Sequence, residues 1–180
     1  MKKVETTYKG FSLIETLIAV SVLMMAVAGP LSIASRGLVS AQFARDQIIA
    51  FHLAREATEL IRNKRDENIL SGQDWFDGMV SSPVCLSPNV CRVSPTAEDV
   101  TFTICSGGAC EPLSVHTVTG IYDYDSGVNW RESRFTRSIS FETVPNHFDN
   151  EIVANVTIKW DTGSLSKEFT ISEHFFNWKE

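Results

Sequence analysis

The sequence lacks the residue groupings that most often carry enzyme chemistry. Its histidines are scattered and do not have the spacing of metal ligands: His52, His116, His147 and His174. It contains no GxSxG or HExxH motif and no glycine-rich loop of the phosphate-binding kind. We therefore expect no catalytic residue, no metal site and no cofactor, and we do not predict an enzyme.

Positive charge is also in short supply. The chain has 16 lysines and arginines against 22 acidic residues, which gives a formal net charge of −6. No stretch is basic enough to form a groove for a phosphate backbone. The sequence therefore predicts no direct nucleic-acid site.

One stretch has part of a calcium loop but not all of it. Asp123 and Asp125 stand at the first and third positions of such a loop. An EF-hand needs glycine at the sixth position and glutamate at the twelfth, where this chain has Val128 and Arg134. We therefore predict a polar turn here.

Charge is absent from residues 11–35 except at Glu15. At about 1.5 Å per residue, a helix of this length can cross a hydrocarbon core of about 30 Å. A carboxylate inside such a segment costs about 2.5–3.5 kcal/mol near the helix centre, so it indicates a function. The sequence predicts a membrane-spanning helix over residues 11–35 in which Glu15 has a specific role.

The residues before this helix predict its orientation. They include one acid, Glu5, and three lysines, Lys2, Lys3 and Lys9. The positive-inside rule places residues 1–10 in the cytoplasm and the rest of the chain outside. The alternatives are a secretory signal peptide cut near residues 26–28, which conflicts with the long run and with Glu15, and a plain signal anchor, which leaves Glu15 unexplained.

The start of the apolar run has a recognisable pattern. It reads Lys-Gly-Phe-Ser-Leu-Ile-Glu from Lys9 to Glu15 and resembles the class III signal of type IV pilins and the related pseudopilins. The resemblance implies cleavage after Gly10 by a prepilin peptidase and N-methylation of Phe11. It also implies an assembly contact between Glu15 and the Phe11 amine of a neighbouring subunit.

The same resemblance implies partners and a location. The partners would be other pilin or pseudopilin subunits, an inner-membrane assembly platform, and membrane lipid before assembly. The precursor would cross the inner membrane once with its N-terminus in the cytoplasm. The exported part would then enter a periplasmic pseudopilus or a cell-surface pilus.

Two features divide the predicted helical region. Gly29 and Pro30 interrupt the apolar run, and proline removes a backbone hydrogen bond, so we expect a helix break near residues 26–30. Residues 36–68 then form an amphipathic stem helix that ends near Arg65. Its apolar positions recur at helical spacing: Ile49, Ala50, Leu53, Ala54, Ala57, Leu60 and Ile61. A charged cluster at residues 62–67 is interpreted as the solvated end of this helix, with an inter-subunit salt-bridge site as the alternative.

All four cysteines lie in residues 69–180, the predicted exported domain. Neither pair has the CxxC spacing of a zinc site. An even number of cysteines in an exported domain favours disulfides, and four cysteines allow three pairings. We favour the local pairing, in which Cys85 joins Cys91 and Cys105 joins Cys110.

The remaining pattern alternates as in β-strands. Phe135, Ile139 and Phe141 share one face, and residues 152–160 and 169–171 continue the alternation around a turn at residues 161–164. Residues 100–104 and 115–124 are further predicted strands. An antiparallel sheet of this kind, packed on the stem helix, gives an α+β fold.

The predicted function is that of a structural subunit, a minor pilin or pseudopilin of a type IV pilus or a type II secretion pseudopilus. The alternatives are a pilus-tip adhesin and a plain membrane-anchored exported domain. A domain of this size leaves little room for an added adhesive module, which favours the assembly role.

Overall fold

The computed structural model describes residues 10–80, 85–95, 99–145, 150–163 and 165–178. The chain divides into two compact units, Met1–Ala44 and Arg45–Glu180. The predictions made for the leader before Gly10, for His147 and for Ser164 lie outside the described residues.

A single helix, α1 (Leu13–Leu70), begins in the first unit and ends in the second. Its N-terminal part is long and apolar enough to cross a membrane, judged by length and composition. Every residue of this helix from Leu13 to Ala44 is exposed. The first unit therefore presents an exposed apolar helical surface.

The helix break expected at Gly29 and Pro30 is absent. Pro30 lies inside α1, and the helix continues without interruption on both sides of it. Proline removes one backbone hydrogen bond and its ring crowds the carbonyl of the preceding turn. A bend within the continuous helix stays a prediction.

The predicted end of the stem helix near Arg65 is wrong, because α1 continues to Leu70. Gly72 ends the helix with a positive φ of 77°. Its amide donates to the carbonyl of Ile69 at 3.1 Å, and the amide of Gln73 donates to the carbonyl of Asn68 at 2.9 Å. These two bonds form a Schellman motif, which favours glycine at the left-handed position.

The described residues after α1 form a seven-stranded sheet in which every paired strand is antiparallel. The strands are β1 (Cys91–Pro95), β2 (Val100–Ile104), β3 (Pro112–His116), β4 (Tyr122–Asp123), β5 (Trp130–Thr143), β6 (Glu151–Thr162) and β7 (Leu165–Phe176). A short 3₁₀ turn, Ser106–Gly108, lies between β2 and β3. The structure therefore has the predicted α+β fold.

The long strand β5 organises the sheet. On one edge it pairs with β3 along its first half, and β1 meets it at Ile139. On the other edge it pairs with β6 from Phe135 to Thr143, and β6 in turn forms a hairpin with β7. The predicted strands around residues 135–141, 152–160 and 169–171 are thus confirmed as β5, β6 and β7.

The structure differs from the predicted strands in two places. Residues 115–124 do not form one strand, because the chain turns between His116 and Tyr122 with Gly120 at a φ of 74°. In addition, β1 was not predicted, because the sequence pattern did not indicate it. This strand is short and ends at a proline, and it is defined by its pairing with β2.

The core of the second unit lies between α1 and the inner face of the sheet. The buried apolar side chains in the middle of the helix are close to the predicted stripe: Ala50, Leu53, Ala54, Ala57 and Ile61. Ile49 and Leu60 are only half-buried at its margins. Alternate residues of β5 and β6 face these positions, as the period of a half-buried strand requires: Phe135, Ile139, Phe141, Ile152, Ala154, Val156, Ile158 and Trp160.

Candidate functional site

The predicted processing site lies at the start of α1. Gly10, Phe11 and Ser12 precede the first helical residue, and Phe11 is 81% exposed. Apart from its chain neighbours, no heavy atom of the described residues lies within 4 Å of the position that a Cβ on Gly10 would take. The bond between Gly10 and Phe11 is therefore outside the helix, in an uncrowded stretch of chain.

Glu15 lies in the first turn of α1. The carbonyl of Ser12 accepts a hydrogen bond from the amide of Thr16 at 3.1 Å, so Ser12 is at the N-cap position. Ser12 and Glu15 therefore have the Ser-x-x-Glu spacing of a capping box, a signal that our sequence analysis missed. A carboxylate is favoured there because the N-terminal end of a helix carries partial positive charge.

The position of Phe11 limits what Glu15 can do inside one chain. Residues 11 and 15 would be neighbours on one helical face if the helix began at Phe11. Phe11 lies before the helix, however, so the two residues do not have this arrangement. Apolar side chains surround Glu15 in sequence and are exposed, including Ile14 at 66% and Leu17 at 61%. This end of α1 therefore combines one carboxylate with an uncovered apolar surface.

The two disulfides have the local pairing that we favoured. Cys85 joins Cys91, and both residues are fully buried in the core. Cys105 joins Cys110 around the Ser106–Gly108 turn, and both are half-buried. The first bond therefore holds the chain against the sheet, whereas the second closes a loop at the surface.

The incomplete calcium loop begins in β4 at Asp123 and contains a turn at residues 128–129. Oδ1 of Asp123 accepts bonds from the Ser94 hydroxyl at 2.6 Å and from the Tyr124 amide at 2.8 Å. Among the described residues, no group of three or more His, Cys, Asp or Glu side chains could hold a metal ion. His52, His116 and His174 lie on three separate elements, α1, β3 and β7.

The charged cluster at residues 62–67 is only partly solvated, because some of its side chains form ion pairs within the chain. Arg62 pairs with Glu59 and with Glu173 of β7, and the hydrogen bond with Glu173 is the main reason that its pKa is raised. Lys64 pairs with Asp99 at 2.8 Å. These ion pairs tie the last turns of α1 to more distant parts of the chain.

Residues 6–29 match a known family, the prokaryotic N-terminal methylation motif. Comparison of the whole chain with curated proteins and with solved structures gives no match. The matched residues include Gly10, Phe11 and Glu15 and end at Gly29, within the exposed apolar part of α1. The N-terminus of this chain therefore carries the methylation signal of type IV pilins and pseudopilins.

Proposed function

We propose that the protein is a structural subunit, a minor pilin or pseudopilin, of a type IV pilus or a type II secretion pseudopilus. The observation that carries the proposal is the methylation motif at residues 6–29, which overlaps the start of an exposed apolar helix. Proteins with this motif are structural rather than catalytic, which agrees with the lack of enzyme motifs in the sequence.

The first step is cleavage between Gly10 and Phe11 by a prepilin peptidase, followed by N-methylation of Phe11. The position of this bond before α1 supports the step, because a protease binds its substrate as extended chain. Mass spectrometry of the mature N-terminus should find residue 11 first, with one methyl group on its nitrogen. Retention of residues 1–10, or an N-terminus near Ala28, would contradict the proposal.

The second step is assembly, in which Glu15 binds the Phe11 amine of a neighbouring subunit. That amine exists only after cleavage, so processing and polymerisation are coupled. The contact offsets the cost of placing a carboxylate among apolar side chains, and the exposed apolar surface around Glu15 supports it.

Glu15→Ala tests the assembly step. We expect the variant to be inserted and processed normally but to be lost from filaments sheared from the cells. Thr16→Ala is the matched control, because Thr16 is the next residue and its hydroxyl bonds within the helix to the carbonyl of Leu13. Wild-type amounts of Glu15→Ala in sheared filaments would exclude the proposed contact.

The remaining proposals concern location. Residues 1–10 face the cytoplasm, residues 11–35 span the inner membrane before assembly, and residues 36–68 and 69–180 form the exported stem and domain. The two disulfides support export, because such bonds form and persist outside the cytoplasm. Protease added to spheroplasts should digest the domain while it leaves residues 1–10 of an uncleaved Gly10→Val precursor intact.

A further inference from the structure

A cleft of about 420 Å³ lies between α1 and the hairpin formed by β3 and β4. The helix contributes Ile49, His52, Leu53 and Glu56 to its lining, and the hairpin contributes Ile121 and Tyr122 among others. All of these residues belong to the second unit. The cleft is thus a feature of the globular domain itself.

The hairpin wall of the cleft is well defined by backbone bonds. The amide of His116 donates to the carbonyl of Ile121, and the amide of Gly120 donates to the carbonyl of His116, each at 2.8 Å. The neighbouring loop is joined by a third bond, from the Thr117 amide to the Asn129 carbonyl, also at 2.8 Å. Ile121 is nevertheless 59% exposed, so a bonded turn holds a large apolar side chain in solvent.

The helix wall carries a carboxylate. Glu56 is 42% exposed, and its Oε1 lies 3.4 Å from Nη1 of Arg137, which is fully buried behind it. The described residues that line the cleft include no lysine or arginine. From its N-terminal to its C-terminal end, the helix wall is apolar at Ile49 and Leu53 and acidic at Glu56. Ile49 and Glu56 are seven residues, or about 10 Å, apart along the helix.

The stem of the same chain has the complementary pattern. From Thr16 to Arg45 the only charged residues are Arg36 and Arg45, and the side chains between them are exposed, with Leu38 at 73%. Leu38 and Arg45 are seven residues apart and therefore share one helical face, on which Ala41 lies between them. This face of the stem therefore has an apolar side chain at Leu38 and a basic side chain at Arg45, seven residues towards the C-terminus.

We propose that the cleft binds the stem segment Leu38–Arg45 of a second copy of this chain, with Arg45 paired to Glu56. The proposal rests on the assembly function proposed above. The apolar and charged positions match when the two helices run in the same direction. A contact between two different surfaces of identical chains is heterologous and can repeat without closing, as a filament requires.

Photo-cross-linking in assembled filaments tests the contact. The photoreactive amino acid p-benzoylphenylalanine replaces Ile121 in the full chain, with replacement of Val128 as the control. Val128 is fully exposed and does not line the cleft. After irradiation and trypsin digestion, we expect position 121 to be joined to the peptide Gly37–Arg45 of another copy, and position 128 not to be.

Charge reversal at a residue of the stem is a second test of the cleft proposal. Arg45→Glu places a carboxylate against Glu56 and should reduce the amount of cross-linked dimer, measured before digestion, about tenfold, which corresponds to about 1.4 kcal/mol. Arg36→Glu is the matched control, because residue 36 is nine positions away and on the opposite helical face. Glu56 itself is left unchanged, since its loss would leave Arg137 buried without a counter-charge.

The outcomes separate the two proposals. Filaments that contain the protein, but in which position 121 is joined to another protein, to lipid, to another segment or to nothing, overturn the cleft proposal and leave the assembly function standing. Equal losses in Arg36→Glu and Arg45→Glu also overturn it. A processed protein that never enters filaments overturns both.

Discussion

Nη1 of Arg137 lies 3.4 Å from Oε1 of Glu56, and this ion pair joins the middle of β5 to α1 across the core. Arg137 has no exposed surface, and its Nη2 donates to the carbonyl of Val93 at 2.9 Å. Its Nε and Nη1 have no hydrogen-bond partner among the described residues. Glu56 is therefore the main counter-charge for the buried guanidinium group of Arg137.

Removal of Glu56 should destabilise the protein strongly. Breaking a buried ion pair from one side costs about 3–5 kcal/mol, because the other charge stays buried without compensation. We expect Glu56→Ala to lower the free energy of unfolding by about 3 kcal/mol, since Glu56 is itself partly exposed. Urea unfolding of the full chain in detergent, followed by tryptophan fluorescence, measures the change.

Glu59→Ala is the control for this prediction. Glu59 is on the same helix and pairs with Arg62, but both side chains are more than a third exposed. Exposed pairs contribute about 0.2–1 kcal/mol, so the control should change stability little. Equal effects of the two substitutions would show that Arg137 does not depend on Glu56.

Phe76 should be one of the main contributors to the core. It follows α1 in the turn region of residues 71–80, is 1% exposed and contacts the rings of Phe141 and Phe175 at centroid distances of 5.2 and 6.2 Å. Truncation of a buried phenylalanine costs about 3–5 kcal/mol. We expect Phe76→Ala to lower the unfolding free energy by this amount in the same assay.

Phe51→Ala is the matched truncation for Phe76→Ala. Phe51 lies on α1, is 47% exposed and contacts Phe169 at the margin of the core. Its loss removes less buried area, so the cost should be at most about 1.5 kcal/mol. An equal cost at both positions would contradict the assignment of Phe76 to the core.

The two disulfides should differ in their reaction with reductant. Cys85 and Cys91 are fully buried, whereas Cys105 and Cys110 are half-buried. Because thiolate attack needs access to sulfur, a mild reductant under native conditions should open the Cys105–Cys110 bond first. Alkylation followed by peptide mass spectrometry gives the order, and earlier loss of the Cys85–Cys91 bond would refute the prediction.

Serine variants extend this comparison to stability. Loops of this length contribute about 2 kcal/mol each by the chain-entropy argument. Paired replacement of Cys85 and Cys91 should cost more than that of Cys105 and Cys110, because it also buries two hydroxyl groups in an apolar core. Thermal unfolding of the two double variants should rank them in this order.

The free energy of unfolding should decrease in acid, partly because Asp99 becomes protonated. Two hydrogen bonds from Nζ of Lys64, each at 2.8 Å, are the main reason that the pKa of Asp99 lies below its ordinary value of 3.8. A carboxyl group with a depressed folded-state pKa adds stability above its unfolded pKa. This contribution is present above about pH 4 and is lost as the pH falls through the folded pKa.

A double-mutant cycle isolates this contribution. Asp99→Asn should flatten the decline in unfolding free energy between about pH 4 and pH 2, relative to the unmodified chain. In a Lys64→Met background, Asp99→Asn should change the acid profile much less. An unchanged profile in the single variant would show that Lys64 does not stabilise the charged form of Asp99.

Local periodicity predicted most of the fold. The stripe from Ala50 to Ile61 and the alternation of β5 and β6 follow from burial of one side of each element, so neighbouring residues were sufficient to find them. The inward position between Phe135 and Ile139 holds Arg137, which an apolar pattern cannot predict. Its burial depends on Glu56 and on the carbonyl of Val93, both distant in sequence.

The errors at element boundaries have related causes. We predicted that the stem helix ends near Arg65, but α1 continues past Asn68, which is buried and whose side chain donates to the carbonyl of Asp77 at 2.9 Å. A tertiary contact thus outweighed its preference for a helix end. The strand predicted over residues 115–124 included Gly120, whose positive φ of 74° belongs to a turn and not to a strand.

The two sites differ in how far sequence could predict them. The methylation motif is linear, so it was identifiable from the order of neighbouring residues, which include Gly10, Phe11 and Glu15. The cleft is formed by α1 and by Ile121 and Tyr122, about 70 residues further along the chain. It exists only after the β3–β4 hairpin has packed beside the helix, and no local pattern could reveal it.

The order of elements along the chain has a consequence for synthesis. The apolar stripe of α1 is made first, whereas the strands that cover it, β5, β6 and β7, begin only at Trp130. Until those strands are available, Leu53 and Ile61 have no sheet to pack against. The core of the domain therefore cannot be completed until these strands have been made, and the apolar stripe of α1 stays uncovered by them until then.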